Sequence, residues 1–235
     1  MSGNLSRVSV IVPVRDGARH LGEALESVLA QTHPNSEIWV VDDGSRDESA
    51  AVAARFSDRG VRCVSQPPSG AAAARNRGVA LATGDFLAFL DADDLWTPDK
   101  LACQCAALEA DSTLDLVFGH AEQFISLELD ETTRARLCCP EGSAPGFVAG
   151  AMLARRAVFT SAGPFETRWE LGEFLAWFAR VRELGRRERM LDRVVLRRRL
   201  HETNQGRQKR GHYPDYARIL KAALDRRRRQ AATES

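Results

Sequence analysis

The sequence predicts an α/β chain organised on a mostly parallel, doubly wound sheet flanked by helices, and three observations predict it. Short apolar runs recur through the first half, each nearly uninterrupted, as in strands buried on both faces. Helical patterns separate the runs in the order β-α-β-α-β-α-β-α, and such alternation builds parallel sheets. Carboxylates close two of the runs: Asp42 and Asp43 after the second, and Asp91, Asp93 and Asp94 after the fourth. Ligands of such sheets sit at the carboxyl ends of the strands, which makes these acids candidate site residues.

The first strand is "VSVIVPV", Val8–Val14, followed by a turn at Gly17 and a helix with Leu21, Leu25, Val28 and Leu29 on one face. "EIWVVDDGS" gives a strand over 38–41. Ser45 and Glu48 have capping-box spacing for the next helix, whose core side carries Val52 and Phe56. "VRCVSQ" is the third strand, and "SGAAAARNRGVALATG" reads as a glycine turn followed by a small-residue helix. "DFLAFLD" is the fourth strand, after which Thr97 as N-cap and Pro98 at the first helical position open a helix running to about Asp111.

The second half is less regular. Residues 116–118 read as a strand, 120–148 as a loop-rich insertion containing Cys138, Pro140, Gly142 and Pro145, and "GAMLARRAVF" as a return to the sheet that begins a short helix. "GEFLAWFARVRELG" is an amphipathic helix with Phe174, Trp177, Phe178, Val181 and Leu184 on one face, and 194–196 is a final strand. One domain is expected over 1–210, with a donor-binding half at about 7–118 and an acceptor half at about 119–210. Residues 211–235 follow as a peripheral basic helix and tail.

Of the 235 residues, 44% are hydrophobic and 28% charged, with a formal net charge of +1, which argues against nucleic-acid binding driven by a positive field. Arginine is dense from Arg180 onward, with runs at 197–199 and 226–229. The second run reads as a solvated helix face, with weak contact to an anionic membrane or partner as the lesser alternative. No apolar run approaches the ~18 residues of a membrane span and no basic-plus-apolar leader is visible, so neither a span nor a signal peptide is expected. Five cysteines without CxxC spacing fit free thiols in a cytoplasmic compartment.

"FLAFLDADDLWTP" crowds three carboxylates into four residues. Like charges that close are costly unless water, a cation or a donor relieves them. "DADD" alone is equally a solvated turn before a helix; alternatively it offers oxygen ligands to a hard cation such as Mg²⁺ or Mn²⁺. Asp91 and Asp93 alternate along an extended strand end, so both can face one cleft. In "DDGSRD", Asp43 and Ser45 either shape the turn or present Asp43 to a base or ribose. "SGAAAARNRG" combines a glycine turn, a helix N-terminus and the cations Arg75 and Arg77, a cradle suited to a diphosphate. Neither GxxxxGK[ST] nor GxGxxG spacing is present, which disfavours an ATPase or a dehydrogenase.

In order and spacing, "VSVIVPV", "VVDDGSRD", "GAAAARNRGVALATGDFLAFLDADD" and "TPDKL" resemble the inverting family 2 glycosyltransferases, strongly over about 7–102 and more loosely to 206. The resemblance implies a GT-A fold on a Rossmann-like sheet, a nucleotide-diphosphate sugar donor with a UDP-sugar the first expectation, a divalent cation (Mn²⁺ or Mg²⁺), and a hydroxyl acceptor on a sugar, peptide or small metabolite. By the same resemblance Asp43 touches the nucleobase. Pro13, Val14, Arg15, Gly70, Arg75, Asn76, Asp91, Ala92 and Asp93 line the donor pocket. Asp91 and Asp93 form the DxD-type element, with Asp93 and His201 the metal ligands and Asp91 and Asp94 as further ligands in reserve. Glu173 in "LGEFLAW" takes the place of the catalytic base, in a helix first turn that favours its ionised form.

Two departures stand out. Arg15 and Asp16 replace the Tyr-Asn that usually follows the first strand, which opens the base preference, since Arg15 can stack on a base or meet phosphate. Gly172 replaces the usual acidic neighbour of the base. "RRRLHETNQG" supplies His201 with Arg199 and Asn204 nearby, or else is a solvated basic strand end. His20, His33, His120 and His212 have no partner assigned by the sequence. Two rival functions remain at this level: a sugar-1-phosphate nucleotidyltransferase, and a catalytically inactive nucleotide-sugar-binding scaffold.

Overall fold

The computed structural model describes residues 5–169, 171–201 and 214–233. The apolar run Val8–Val14 forms strand β1, buried along its whole length. Beside it lie β2 (Ser36–Asp42), β3 (Val61–Ser65) and β4 (Phe86–Phe89), all parallel in the order β3-β2-β1-β4. Helices α1 (Ala18–Leu29), α2 (Ser49–Ala54) and α3 (Ala71–Leu81) connect them.

Alternation along β1 sorts the two cores. Val8, Val10, Val12 and Val14 pack with Leu21, Leu25 and Val28 of α1 on one side. Ile11 packs with Ala72 of α3 on the other. The approach of α3 to β1 depends on Gly78, where a Cβ would lie 2.4 Å from Ile11 Cγ2.

The sheet is wholly parallel only in this half and mixed beyond it. Beyond β4 come β5 (Leu95–Trp96), α4 (Lys100–Ala110), β6 (Leu116–Ile125), α5 (Glu131–Ala135), β7 (Ser143–Pro145), β8 (Met152–Arg155), α6 (Arg156–Ala162), α7 (Glu173–Glu183) and β9 (Glu188–Leu200). The sheet continues β4-β8-β6-β9-β5, with β8 antiparallel to β4 and β6, β9 parallel to β6, and β5 antiparallel to β9. The last helix, α8 (Pro214–Thr233), packs against α7. Among the described residues, no helix is long and apolar enough to cross a membrane.

Several local expectations are corrected. Thr97 and Pro98 do not open α4; Leu95 and Trp96 pair with Arg197 and Leu196 of β9, and the helix starts at Lys100 after Asp99. The Thr97 hydroxyl is spent instead on the Val194 carbonyl, 3.0 Å away. Ser45 and Glu48 form no capping box; α2 begins at Ser49, whose N–H donates to Asp47 Oδ1 at 3.0 Å. Residues 116–125 are one long strand, not a short strand running into an insertion, and its partner β9 extends far beyond 194–196. Leu184 ends α7 half exposed rather than in the core. The expected boundary at 210 and Asn204 and His212 lie outside the described residues.

Candidate active site

The acidic stretch after β4 is a turn, closed by the Asp94 N–H donating to the Asp91 carbonyl at 3.0 Å. Asp91 and Asp93 therefore do not alternate along an extended strand, and the turn sends its three carboxylates to three different partners. Asp91 Oδ1 accepts from Arg75 Nη2 at 2.6 Å. Asp93 Oδ2 lies 2.8 Å from His201 Nε2. Asp94 turns inward, and its Oδ1 accepts the Arg199 N–H at 2.9 Å.

Electrostatics separate these acids. Burial raises Asp93, but the hydrogen bond and charge of His201 outweigh it and hold the carboxyl below its usual range. Asp94 moves the other way: burial, then the neighbouring Asp93 and Asp91, push it well above the usual carboxylate range. Arg199, buried at the end of β9, locks the turn from behind. Its Nε donates to the Asp93 carbonyl at 2.9 Å and its Nη2 to Glu23 Oε2 at 2.6 Å.

Facing Asp91 stands Glu173, the first residue of α7. Arg75 of α3 joins the two: Nη1 donates to Glu173 Oε1 at 2.5 Å while Nη2 holds Asp91. Burial would lower the guanidinium, yet the charges of Asp91 and Glu173 outweigh it and raise its pKa. Arg75 Nε is buried with no hydrogen-bond partner among the described residues, a donor still to be satisfied.

The ends of β1 and β2 are braced largely by backbone contacts. Asp43 is buried at the end of β2, and its oxygens accept from Gln66 Nε2, Ser69 N–H and Gly70 N–H, each at 2.8 Å. It thereby fixes the loop that leads into α3 at Gly70. Arg15 Nη1 lies 3.9 Å from Asp43 Oδ2, on a half-exposed side chain. Pro13 and Val14 are buried at the end of β1, and the Val14 carbonyl accepts the Asp43 N–H at 2.8 Å. Ala92 is half-buried beside Gly17. Asn76 uses both ends of its amide on the Phe165 backbone, donating to its carbonyl and accepting from its N–H, both at 2.9 Å.

Asp16, the second of the two unusual residues after β1, has a local role. It adopts a left-handed φ of 51° and its Oδ1 accepts the Arg46 N–H at 2.7 Å. The Ser45 hydroxyl accepts the Asp16 N–H at 3.0 Å, so the loops after β1 and β2 are laced together.

Gly172, the other departure, has a conformational cause. Its φ is +84°, and a Cβ there would lie 2.9 Å from Ile219 Cδ1 and 3.1 Å from Tyr216 Cε1 of α8. The left-handed backbone disfavours any side chain there, and the ends of Ile219 and Tyr216 would also have to give way.

Sequence reading missed His20 and Glu128. The His20 ring centroid is 5.0 Å from that of His201, and its Nε2 is 3.5 Å from Glu128 Oε1. Burial, then the Arg199 and His201 charges, lowers the His20 pKa. These contacts join α1 to the end of β9, and no local spacing announces them. His33 and His120 lie elsewhere, His33 against the Ser6 carbonyl and His120 beside Asp192.

Asp93 and His201 fit a shared hard cation. They offer one carboxylate and one imidazole, and no group of three or more His, Cys, Asp or Glu among the described residues could hold a metal alone. Two protein ligands suit Mg²⁺ or Mn²⁺ when substrate phosphates and water complete the shell.

A family model described as Glycosyl transferase family 2 matches residues 9–160. The chain belongs to this family. An uncharacterized glycosyltransferase from Nostoc sp. is 45% identical over 98 residues, covering 40% of this chain and 30% of the relative. The Escherichia coli UDP-Glc:alpha-D-GlcNAc-diphosphoundecaprenol beta-1,3-glucosyltransferase WfgD is 34% identical over 116 residues, 49% of this chain and 46% of that protein. The chain thus spans less than half the length of these curated relatives.

Among solved structures, S. aureus TarS 1-349 in complex with UDP-GlcNAc aligns with a TM-score of 0.67 at 19% identity, over 85% of this chain and 60% of that one. The mannosyltransferase PcManGT from Pyrobaculum calidifontis, in complex with GDP-Man and Mn²⁺, aligns with a TM-score of 0.68 at 21% identity, over 87% and 60%. At such identities the likeness speaks for the fold, which is that of the GT-A glycosyltransferases. In this member of the family, the acidic turn and the late-helix carboxylate lie on opposite sides of one arginine.

Proposed function

We propose that the chain carries the catalytic domain of an inverting, divalent-cation-dependent glycosyltransferase, with Glu173 as general base. The carrying observation is Arg75, which holds Glu173 and Asp91 on one guanidinium and so sets the base candidate against the acidic turn. In the reaction, the acceptor hydroxyl oxygen bonds to the anomeric carbon, the bond from that carbon to the diphosphate oxygen breaks, and the hydroxyl proton passes to Glu173. Asp93 and His201 would hold the cation, which would offset charge on the departing diphosphate. Asp43, Gly70 and Arg15 would receive the nucleoside end.

A UDP-sugar is the first donor to test, because WfgD is named for UDP-Glc and TarS binds UDP-GlcNAc; GDP-Man, bound by PcManGT, is the control. The acceptor is a hydroxyl compound. All five cysteines are free, in keeping with a cytoplasmic location. The left-handed φ of +84° at Gly172 suits glycine and disfavours an acid there, so its loss does not by itself favour an inactive scaffold.

The test incubates the full chain with each nucleotide sugar and Mn²⁺ and follows nucleoside diphosphate release. Glu173→Gln should abolish release from the best donor while UDP binding, read by calorimetry, persists. Undiminished turnover in that variant would remove Glu173 from the role of base.

A further inference from the structure

We propose that α8 docks the protein on an anionic lipid surface, lying in its plane. The helix has two unlike sides. Inward, Ile219 and Asp215 are buried, and Arg226 grips Glu183 of α7 through Nε–Oε2 at 2.8 Å and Nη2–Oε1 at 3.1 Å. Outward, Leu220 and Leu224 remain 54% and 53% exposed, and Tyr216, four residues earlier, is 38% exposed at the edge of that face, with one side of its ring against Gly172. Residues four apart on a helix stand above one another, so the three form a single apolar stripe.

Charge selects the occupant. Lys221 is exposed on the same helix, as is Arg218, which also pairs with Asp215 at 3.2 Å, and arginines 227–229 follow the stripe in sequence. The acids of the helix are Asp215, which is buried, and Asp225. The chain as a whole carries a formal charge of only +1, so this basic density is local. An apolar stripe with a Tyr, bordered by Arg and Lys, has the composition of an interfacial helix, and its cations match acidic headgroups. The helix is too polar to span.

The placement gives docking a consequence. Tyr216 and Ile219 pack on Gly172, the residue immediately before Glu173, so a docked α8 brings the mouth of the candidate site to the lipid surface. The docking itself stands whether or not Glu173 is the base, because it rests on α8 alone.

The test floats the full chain with vesicles of phosphatidylcholine, with and without phosphatidylglycerol, at low and high salt. Binding is expected only with phosphatidylglycerol and should weaken as salt screens the arginines. Leu220→Glu with Leu224→Glu should weaken binding about tenfold, and each of Arg227→Gln, Arg228→Gln and Arg229→Gln about fivefold. These variants spare Ile219 and the Arg226–Glu183 pair, so their circular dichroism should match that of the parent. Equal binding to neutral vesicles, no binding, or undiminished binding of the glutamate variant would overturn the proposal. A concentration-dependent dimer that the glutamate variant dissolves, without vesicle binding by the parent, would make the stripe a self-interface and equally overturn it.

Discussion

Arg75 of α3 and Glu173 of α7 are joined at 2.5 Å across 98 residues of sequence. The same guanidinium reaches Asp91 at 2.6 Å, a fork that one planar group can make and a lysine ammonium cannot reproduce. Arg75→Lys should therefore keep charge but lose one of the two contacts, lowering donor turnover more than donor binding. Arg75→Met leaves two facing carboxylates without their cation and should cost about 3 kcal/mol of folding stability. Urea denaturation and nucleotide release, measured on both variants, check the two effects separately. A stable, fully active Arg75→Met would show that the fork neither orders the site nor holds α7 to α3.

Asp93 and His201 meet at 2.8 Å across 108 residues of sequence, one in the turn after β4 and the other just past β9. If they share a cation with the donor diphosphate, His201→Ala should raise the Mn²⁺ concentration needed for half-maximal turnover by about tenfold, in the range seen when support around a metal is removed. Asp93→Asn should be more severe, since it removes a charged oxygen ligand. Chelation should stop turnover in the parent and added Mn²⁺ restore it. Turnover indifferent to chelator would assign the pair to positioning rather than to metal.

The first four strands were legible because each is an apolar run buried between helices, and the acids at their ends follow directly. The resemblance to family 2 placed Glu173 correctly at a helix start, but spacing alone could not show that Arg75 holds it. That contact joins residues far apart in sequence, and local pattern carries no trace of it. The second half was misread for a different reason. β9 reads "ERMLDRVVLRRRL", with arginines at its exposed positions, so only its 194–196 segment looks like a buried strand. Its partner β6 carries register shifts around His120, which break the alternation a strand reader relies on. Thr97 and Pro98 have sound helix-start chemistry, yet pairing of Leu95 and Trp96 with β9 overrides it, and the Trp96 Nε1 bond to the Gly150 carbonyl at 2.9 Å helps fix that edge.

Gly172 offers a direct test of why no acid stands beside the candidate base Glu173. Any side chain there would sit at φ +84° and meet Ile219 at 2.9 Å. Left-handed backbone costs a non-glycine residue about 1–3 kcal/mol, so Gly172→Ala should lower stability by about 2 kcal/mol. Ile219→Ala combined with Gly172→Ala relieves the overlap but not the backbone strain, so the double variant should recover none of the strain cost. Thermal melts of the single and double variants decide this. A Gly172→Ala protein as stable as the parent would mean that the backbone at 172 is not held in its left-handed conformation and does not dictate the residue.

Lys100 should leave its mark on the pH dependence of stability. It is fully buried at the start of α4, where Nζ donates to Gln104 Oε1 at 2.6 Å and the Met152 carbonyl at 3.1 Å and lies 4.5 Å from the Trp96 ring centroid. Burial pushes its ammonium down to about 7. Unfolded, it keeps its proton to about pH 10.4, so between the two values the unfolded chain binds more protons and stability rises with pH. Below pH 7 both states are protonated and the cost of the buried charge, at most about 5 kcal/mol, is present in full. Cys103 and Cys105 act in the opposite sense: burial raises both, Cys105 to about 12, so their contribution is lost as unfolded thiols ionise above about pH 8.5. The lysine effect is therefore cleanest between about pH 7 and 8.5. Lys100→Met leaves Gln104 and Met152 short of a donor, a constant offset, but it removes the proton. Urea midpoints should rise across that window in the parent relative to the variant. Parallel curves would show that Lys100 titrates alike in both states and that its burial is offset by contacts with the charged form.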